Sequence, residues 1–231
     1  MRIAAMVLAL GGRRGTFAPA WATLAGQPVC AWSLAALAGV PEIDDMTLVV
    51  PAARRDQATA LIDRAGWNKV RRVAIAPGAT ALSDQVRLAW ASRTGTCDAV
   101  LLHDCARPLL SPALTRALVR QASDQHIIAA AVPMKETLKW VDERRQVRET
   151  PPRAALWQML TPVVLPVAAL SELLDAPPNR KTAPTVTASA SLARWVAAGT
   201  TYPMHLLAAG HDDTLVRRRA DLAVLTEMLR G

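Results

Sequence analysis

Short apolar runs recur along the chain at the spacing of strand–helix units. Residues 3–10, 46–50 (MTLVV), 72–75 (RVAI), 99–102 (AVLL) and 127–132 (IIAAAV) are wholly or mostly apolar. Continuous rather than alternating apolar character predicts parallel strands covered on both faces. The intervening stretches 28–38, 54–65, 83–91 and 112–122 read as helices. Before the last of these, Ser111 precedes Pro112, an N-cap residue followed by proline at the first helical position. Alternating strands and helices predict a doubly wound α/β sheet with right-handed crossovers.

The pattern changes after Pro133. Residues 136–150 read ETLKWVDERRQVRET. Two semi-alternating segments flank the charged centre Asp142-Glu143-Arg144-Arg145, which predicts a hairpin arm. The arm has little core of its own, so it is either a solvated loop or a surface that packs on a partner chain. A helix at 167–174, a Pro/Asn/Lys-rich loop at 176–185, a helix at 188–198, a strand at 204–208 and a helix at 220–230 follow. There is no internal repeat. Residues 1–231 are expected to form one domain, with the arm at 136–150 as its subdomain.

Composition narrows the partners. Hydrophobic residues make up 52% and charged residues 20% of the chain, enough to build a core and too few charges for disorder. The formal net charge of +8 attracts anions. The arginine pairs are spread along the whole chain and are not interleaved with aromatics, which favours small phosphates over nucleic acid. The three cysteines, Cys30, Cys97 and Cys105, lack framework spacing, as in a reduced cytoplasmic protein. No stretch is apolar for long enough to span a bilayer, so no membrane role is expected. The apolar start leads into Gly11-Gly12-Arg13-Arg14 and reads as a first strand rather than a signal peptide.

Two segments carry chemistry at strand ends. Leu10-Gly11-Gly12-Arg13-Arg14-Gly15 follows the first run; glycines let backbone N–H groups approach phosphates, and arginines add charge. It matches neither a P-loop nor GxGxxG, and a tight basic turn explains it as well. Leu102-His103-Asp104-Cys105-Ala106-Arg107-Pro108 follows the run at 99–102. In open α/β sheets ligands sit beyond the carboxyl ends of the strands. Asp104 there suits Mg²⁺ on a triphosphate, and Arg107 suits a phosphate or a structural pair with Asp104. His103 and Cys105 read as structural residues, since neither has a catalytic partner in sequence. A third segment, TPPRAALWQMLTP from Thr150, places Arg153 beside a Leu156-Trp157 anchor expected to be packed.

Taken together these segments resemble one family. HDCARP is similar to the HDAARP signature of the methylerythritol-phosphate cytidylyltransferases. TPPRAALWQMLTP resembles their T-x-x-R-x-x-L-W-x-x-Q/L-T-P segment, AVPMKETLK resembles A-x-P-x-x-D-T-x-K, and RRGTFAPAWATLAGQPV resembles R-M-G-x-x-x-P-K-x-x-x-x-L-x-G-x-P-V. The order and spacing hold over nearly the whole chain.

The resemblance implies a Rossmann-like nucleotidyltransferase domain whose β-hairpin arm clasps a second subunit in a homodimer. The implied reaction joins CTP to a phosphorylated polyol, methylerythritol 4-phosphate, with Mg²⁺ or another divalent cation. Arg13 and Arg153 map to catalytic positions. Leu10, Gly11, Gly12, Arg14, Ser83 and Asp104 map to the nucleotide site, with Asp104 also on the metal. Arg107, Thr137, Arg153 and Thr161 map to the acceptor site. The chain departs from the pattern at Ala9, at Ala20 and Leu215 where the family has lysines, and at Leu82 and Gln85. Arg14, Arg217, Arg218 and Arg219 are nearby cations that offer replacement charge. Two alternatives stay open: a paralogue that binds or regulates, and a nucleotidyltransferase for another phosphorylated acceptor.

Overall fold

A computed structural model describes residues 1–10, 17–76, 82–93, 95–176, 188–210 and 214–230. Among these, eleven strands and seven α-helices run in the order β1 (Ile3–Leu8), β2 (Thr23–Leu24), β3 (Gln27–Pro28), α1 (Val29–Ala38), β4 (Ile43–Pro51), α2 (Arg55–Ala65), β5 (Val70–Ala76), α3 (Leu82–Ala91), β6 (Ala99–Asp104), α4 (Pro112–Arg120), β7 (Ile127–Pro133), β8 (Trp140–Val141), β9 (Val147–Glu149), β10 (Trp157–Pro166), α5 (Val167–Asp175), α6 (Ala188–Gly199), β11 (Met204–Ala208) and α7 (Arg219–Met228). Seven strands form the central sheet in the order β11-β7-β10-β6-β1-β4-β5.

Side-chain alternation along the strands builds two core layers. On β1, Ile3, Ala5 and Val7 face one layer while Met6 and Leu8 face the other; on β6, Leu101 and Leu102 divide the same way. The first layer packs α1 through Leu34 and Leu37, and α4 through Leu118 and Val119. The second packs α3 through Val86, α5 through Leu170 and Leu173, and α6 through Leu192 and Val196. With helices on both faces, β1 and β6 are buried at every position. That explains the apolar sequence of β1 and of residues 99–102 in β6, as expected for central strands.

One strand departs from the parallel arrangement. β10 runs antiparallel to both β6 and β7. The chain leaves the carboxyl end of β7, folds the arm outward, and returns at the same end, so it must re-enter the sheet in reverse. The first half of β10 therefore lies with the carboxyl ends of its neighbours. It also leaves Trp157 of the expected Leu156-Trp157 anchor exposed, while Leu156 is half-buried. Trp157 is 40% exposed, because this end of β10 extends past β6 and pairs with β7 alone.

The arm is the expected hairpin, β8 against β9. Its turn is held by Asp142, whose Oδ1 accepts from the backbone N–H groups of Arg144 and Gln146, both at 2.9 Å. Arg145 takes the left-handed conformation there, with φ 62°. At the start of α4, the Ser111 hydroxyl accepts from Leu114 N–H at 3.3 Å. Ser111→Ala leaves that N–H to water and is expected to lower stability by about 1 kcal/mol, read by urea denaturation.

Candidate active site

The sheet order defines a crevice. From β1 the strands proceed through β4 to β5 on one side, and the chain then returns to place β6 on the other side of β1. The switch point therefore lies between β1 and β6, where ligands of open α/β sheets bind. Leu8 and Asp104 are register partners at that point.

Asp104 is held rigidly. Its Oδ1 accepts from Ala106 N–H at 3.0 Å, its carbonyl accepts from Arg107 N–H at 3.0 Å, and its own N–H donates to the Thr161 hydroxyl at 3.4 Å. Cys105 N–H donates to Leu8 O at 3.0 Å, which ties the turn to the end of β1. Thr161 is fully buried, and its hydroxyl supports the turn from β10. Beneath the turn, Ser33 Oγ on α1 donates to Arg107 O at 3.2 Å and lies 3.1 Å from His103 Nε2. The one hydroxyl proton is committed to the carbonyl, so Nε2 carries the imidazole proton and donates to Ser33.

Burial pushes the His103 imidazole down to about 3, and the nearby Arg107 guanidinium acts in the same direction. His103 is therefore neutral and structural. The unfolded chain protonates this group near pH 6.5 while the folded protein does not until about pH 3. Below the unfolded value, the unfolded state binds the extra proton and stability falls. The loss runs at about 1.4 kcal/mol per pH unit, to roughly 5 kcal/mol in all. The pH dependence of unfolding free energy should be shallower in His103→Gln by that slope between pH 3 and 6.5; equal slopes would contradict the neutral buried imidazole. Burial also raises the Cys30 thiol to about 12 and lifts that of Cys105, so neither is a thiolate nucleophile.

A cavity of about 610 Å³ opens beside this turn. Arg107, Lys135, Arg217 and Arg218 give its wall four cations against the two carboxylates of Glu136 and Asp221. Arg107 is almost wholly buried. Gln158 reaches the cavity because β10 is antiparallel, and Leu215 lines it as well. Val216 N–H donates to Ala106 O at 2.8 Å, which docks the segment before α7 onto the Asp104 turn. The N–H groups of Arg217 and Arg218 converge on Asp221 Oδ2 at 2.7 and 3.0 Å. The lining suits a phosphorylated ligand carrying polar groups.

The structure thus brings Asp104, Arg107 and Thr161 together. Arg153 is close by, its Nη1 donating to Lys135 O at 3.3 Å in a one-turn 3₁₀ segment. Thr137 is exposed on the path from β7 to the arm. Leu10 is half-buried just past β1. Ser83 stands in the first turn of α3, which follows the edge strand β5. Gly11, Gly12, Arg13 and Arg14 lie outside the described residues, as do most of the loop at 176–185 and residues 78–81. Lys135, Gln158, Ser33 and Asp221 are among the site residues that sequence reasoning did not single out. The first two stood inside quoted motifs, and the role of Gln158 appears only once β10 is seen to reverse.

Fold and site define a nucleotidyltransferase of the doubly wound α/β class. A family model for 2-C-methyl-D-erythritol 4-phosphate cytidylyltransferase matches residues 3–230, and the chain belongs to that family. The enzyme of that name from Thermobifida fusca is 33% identical over 168 residues, covering 70% of this chain and 68% of that protein. Its namesake from Dehalococcoides mccartyi strain CBDB1 is 35% identical over 144 residues, or 62% of each chain. Among solved structures, 4-diphosphocytidyl-2C-methyl-D-erythritol synthase from Anaerococcus prevotii superposes with a TM-score of 0.79 at 18% identity, covering 100% of this chain and 96% of that one. The 2-C-methyl-D-erythritol 4-phosphate cytidylyltransferase of Thermus thermophilus gives 0.70 at 23% identity over the whole of both chains. At these identities the two structures speak to the fold alone.

Proposed function

We propose that this chain joins CTP and 2-C-methyl-D-erythritol 4-phosphate to give the CDP-alcohol and pyrophosphate. An oxygen of the acceptor's phosphate forms a bond to the α-phosphorus. The bond between that phosphorus and the α,β-bridging oxygen breaks, and its electron pair leaves with pyrophosphate. The carrying observation is the cation-rich cavity beside Asp104 and Arg107 at the β1–β6 switch point. Catalysis of this kind is positioning and charge neutralisation, and needs no protein nucleophile.

In this reading Arg107, Arg153, Thr137 and Thr161 serve the acceptor, Thr161 by holding the Asp104 turn. Leu10, Gly11, Gly12, Arg14 and Ser83 serve the nucleotide, and Arg13 and Arg153 stabilise the reacting phosphates. Asp104 is the residue that would hold a divalent cation. Among the described residues no three His, Cys, Asp or Glu side chains cluster. A single carboxylate still fits Mg²⁺, which binds one or two carboxylates and completes its shell with substrate phosphates and water. Bound there, Mg²⁺ would neutralise triphosphate charge. The domain spans 1–231 with the arm at 136–150, and works as a cytoplasmic homodimer. Supporting the dimer, the arm exposes Trp140 and Val147 at 65% and 58%. The test is ³¹P NMR of the protein with CTP, Mg²⁺ and 2-C-methyl-D-erythritol 4-phosphate. Paired diphosphate resonances of the CDP-alcohol should grow in with pyrophosphate; a spectrum that stays that of the substrates would contradict the assignment.

A further inference from the structure

A second cleft, of about 380 Å³, opens on the other side of the first turn of α7. Arg217, Arg218 and Asp221 line the cavity described above, whereas Arg219 and Leu222 face this cleft. Across from them stand Phe17, Trp21 and Arg54. Arg54 follows the carboxyl end of β4, and Trp21 Nε1 donates to Ala9 O at 2.9 Å, just past β1. The cleft therefore sits over the carboxyl ends of two adjacent strands, the ligand-binding edge of the sheet.

Its two arginines are held in the same manner. The Arg54 guanidinium lies 5.5 Å from the Trp21 ring centroid, and that of Arg219 lies 5.5 Å from the Phe17 ring. A guanidinium held by an aromatic ring at cation–π distance is not thereby neutralised and retains N–H donors for phosphate oxygens. Arg54 gives Nη1 to Gln57 Oε1 at 2.6 Å, a neutral partner that leaves its charge uncompensated. Among the described residues neither arginine meets a carboxylate, and none lines the cleft. Arg218, one residue away, differs: it pairs with Asp221 at 3.3 Å. Ala20, beside Trp21, is fully buried in a one-turn 3₁₀ segment and offers no cation of its own.

We propose that Arg54 and Arg219 form a polyphosphate clamp that takes the β- and γ-phosphates of the nucleotide and the pyrophosphate they become. This rests on the cytidylyl-transfer reading for its physiological ligand, but the clamp itself is a site for inorganic pyrophosphate. Its two cations come from the turn after β4 and from the first turn of α7.

Titration calorimetry with inorganic pyrophosphate, and then with CTP, tests this on the full chain. The variants are Arg54→Gln, Arg219→Gln and the double substitution, with Arg54→Lys as the charge-retaining control. Each single loss should weaken pyrophosphate binding by about tenfold, the effect of losing a charge-assisted contact. KM for the acceptor should stay as in the wild type. Arg219 is exposed on the first turn of α7, so Arg219→Gln reports on binding even if Arg54→Gln disturbs Trp21. Wild-type pyrophosphate affinity in Arg219→Gln and the double variant would overturn the clamp. Weakened pyrophosphate binding in those variants, with no CDP-alcohol from the wild type, would uphold the clamp and remove the reaction assigned to it.

Discussion

Asp104→Asn is expected to lower kcat by about 10²- to 10³-fold while leaving the protein folded. The asparagine side chain retains an oxygen to accept the Ala106 N–H, the bond that shapes the turn at 3.0 Å. The Thr161 and Leu8 contacts run through backbone groups of residues 104 and 105 and are unaffected. What is lost is one negative charge at the β1–β6 switch point, where a Mg²⁺–triphosphate complex would be held. The loss should fall on kcat and on the apparent Mg²⁺ affinity together, with melting temperature close to wild type. Turnover within about threefold of wild type would place the cation elsewhere, because a kcat left intact means that the carboxylate makes no interaction specific to the transition state.

The second large effect is on assembly. Trp140→Asp combined with Val147→Asp is expected to convert the proposed homodimer to a monomer. β8 and β9 are two and three residues long and exposed throughout, and a two-stranded ribbon has marginal stability by itself. Its apolar side chains are explained if a partner covers them. Burying a large apolar side chain contributes about 1.5–3 kcal/mol, so four of them across a twofold interface contribute on the order of 6–12 kcal/mol. Losing even the lower figure raises the dissociation constant about 10⁴-fold. Sedimentation equilibrium should then give the monomer mass for the double variant and twice that for the wild type. A monomeric wild type would remove the arm from the account of assembly.

Much of this architecture was legible from residues alone. The strands of the parallel region declare themselves because burial on both faces forces continuous apolar runs such as AVLL at 99–102. The arm was legible from Asp142-Glu143-Arg144-Arg145, a turn signal with no core around it. β10 was not. Val163–Leu165 is too short a run to separate from the motif that precedes it, and its direction is set by where the arm returns the chain. From that one reversal follow Gln158 in the cavity and the unpacked Trp157.

The site was legible in part. HDCARP marks the turn after β6 because an Asp and an Arg beyond a buried strand are unusual without a ligand or each other. Lys135 carried no such mark. Leu215 lines the cavity, and the sequence marked it only as a position where the family pattern has a lysine. The two arginines of the second cleft come from positions 54 and 219, far apart in sequence, and α7 reaches this side by packing on β2. No local motif contains both.

The most direct measurement is the rate of pyrophosphate release at saturating CTP and Mg²⁺, with and without 2-C-methyl-D-erythritol 4-phosphate. Release that depends wholly on the acceptor, and yields one pyrophosphate per CDP-alcohol, is the result the account predicts. A folded protein that releases no pyrophosphate with the acceptor present, or releases it equally without, would contradict cytidylyl transfer as its activity.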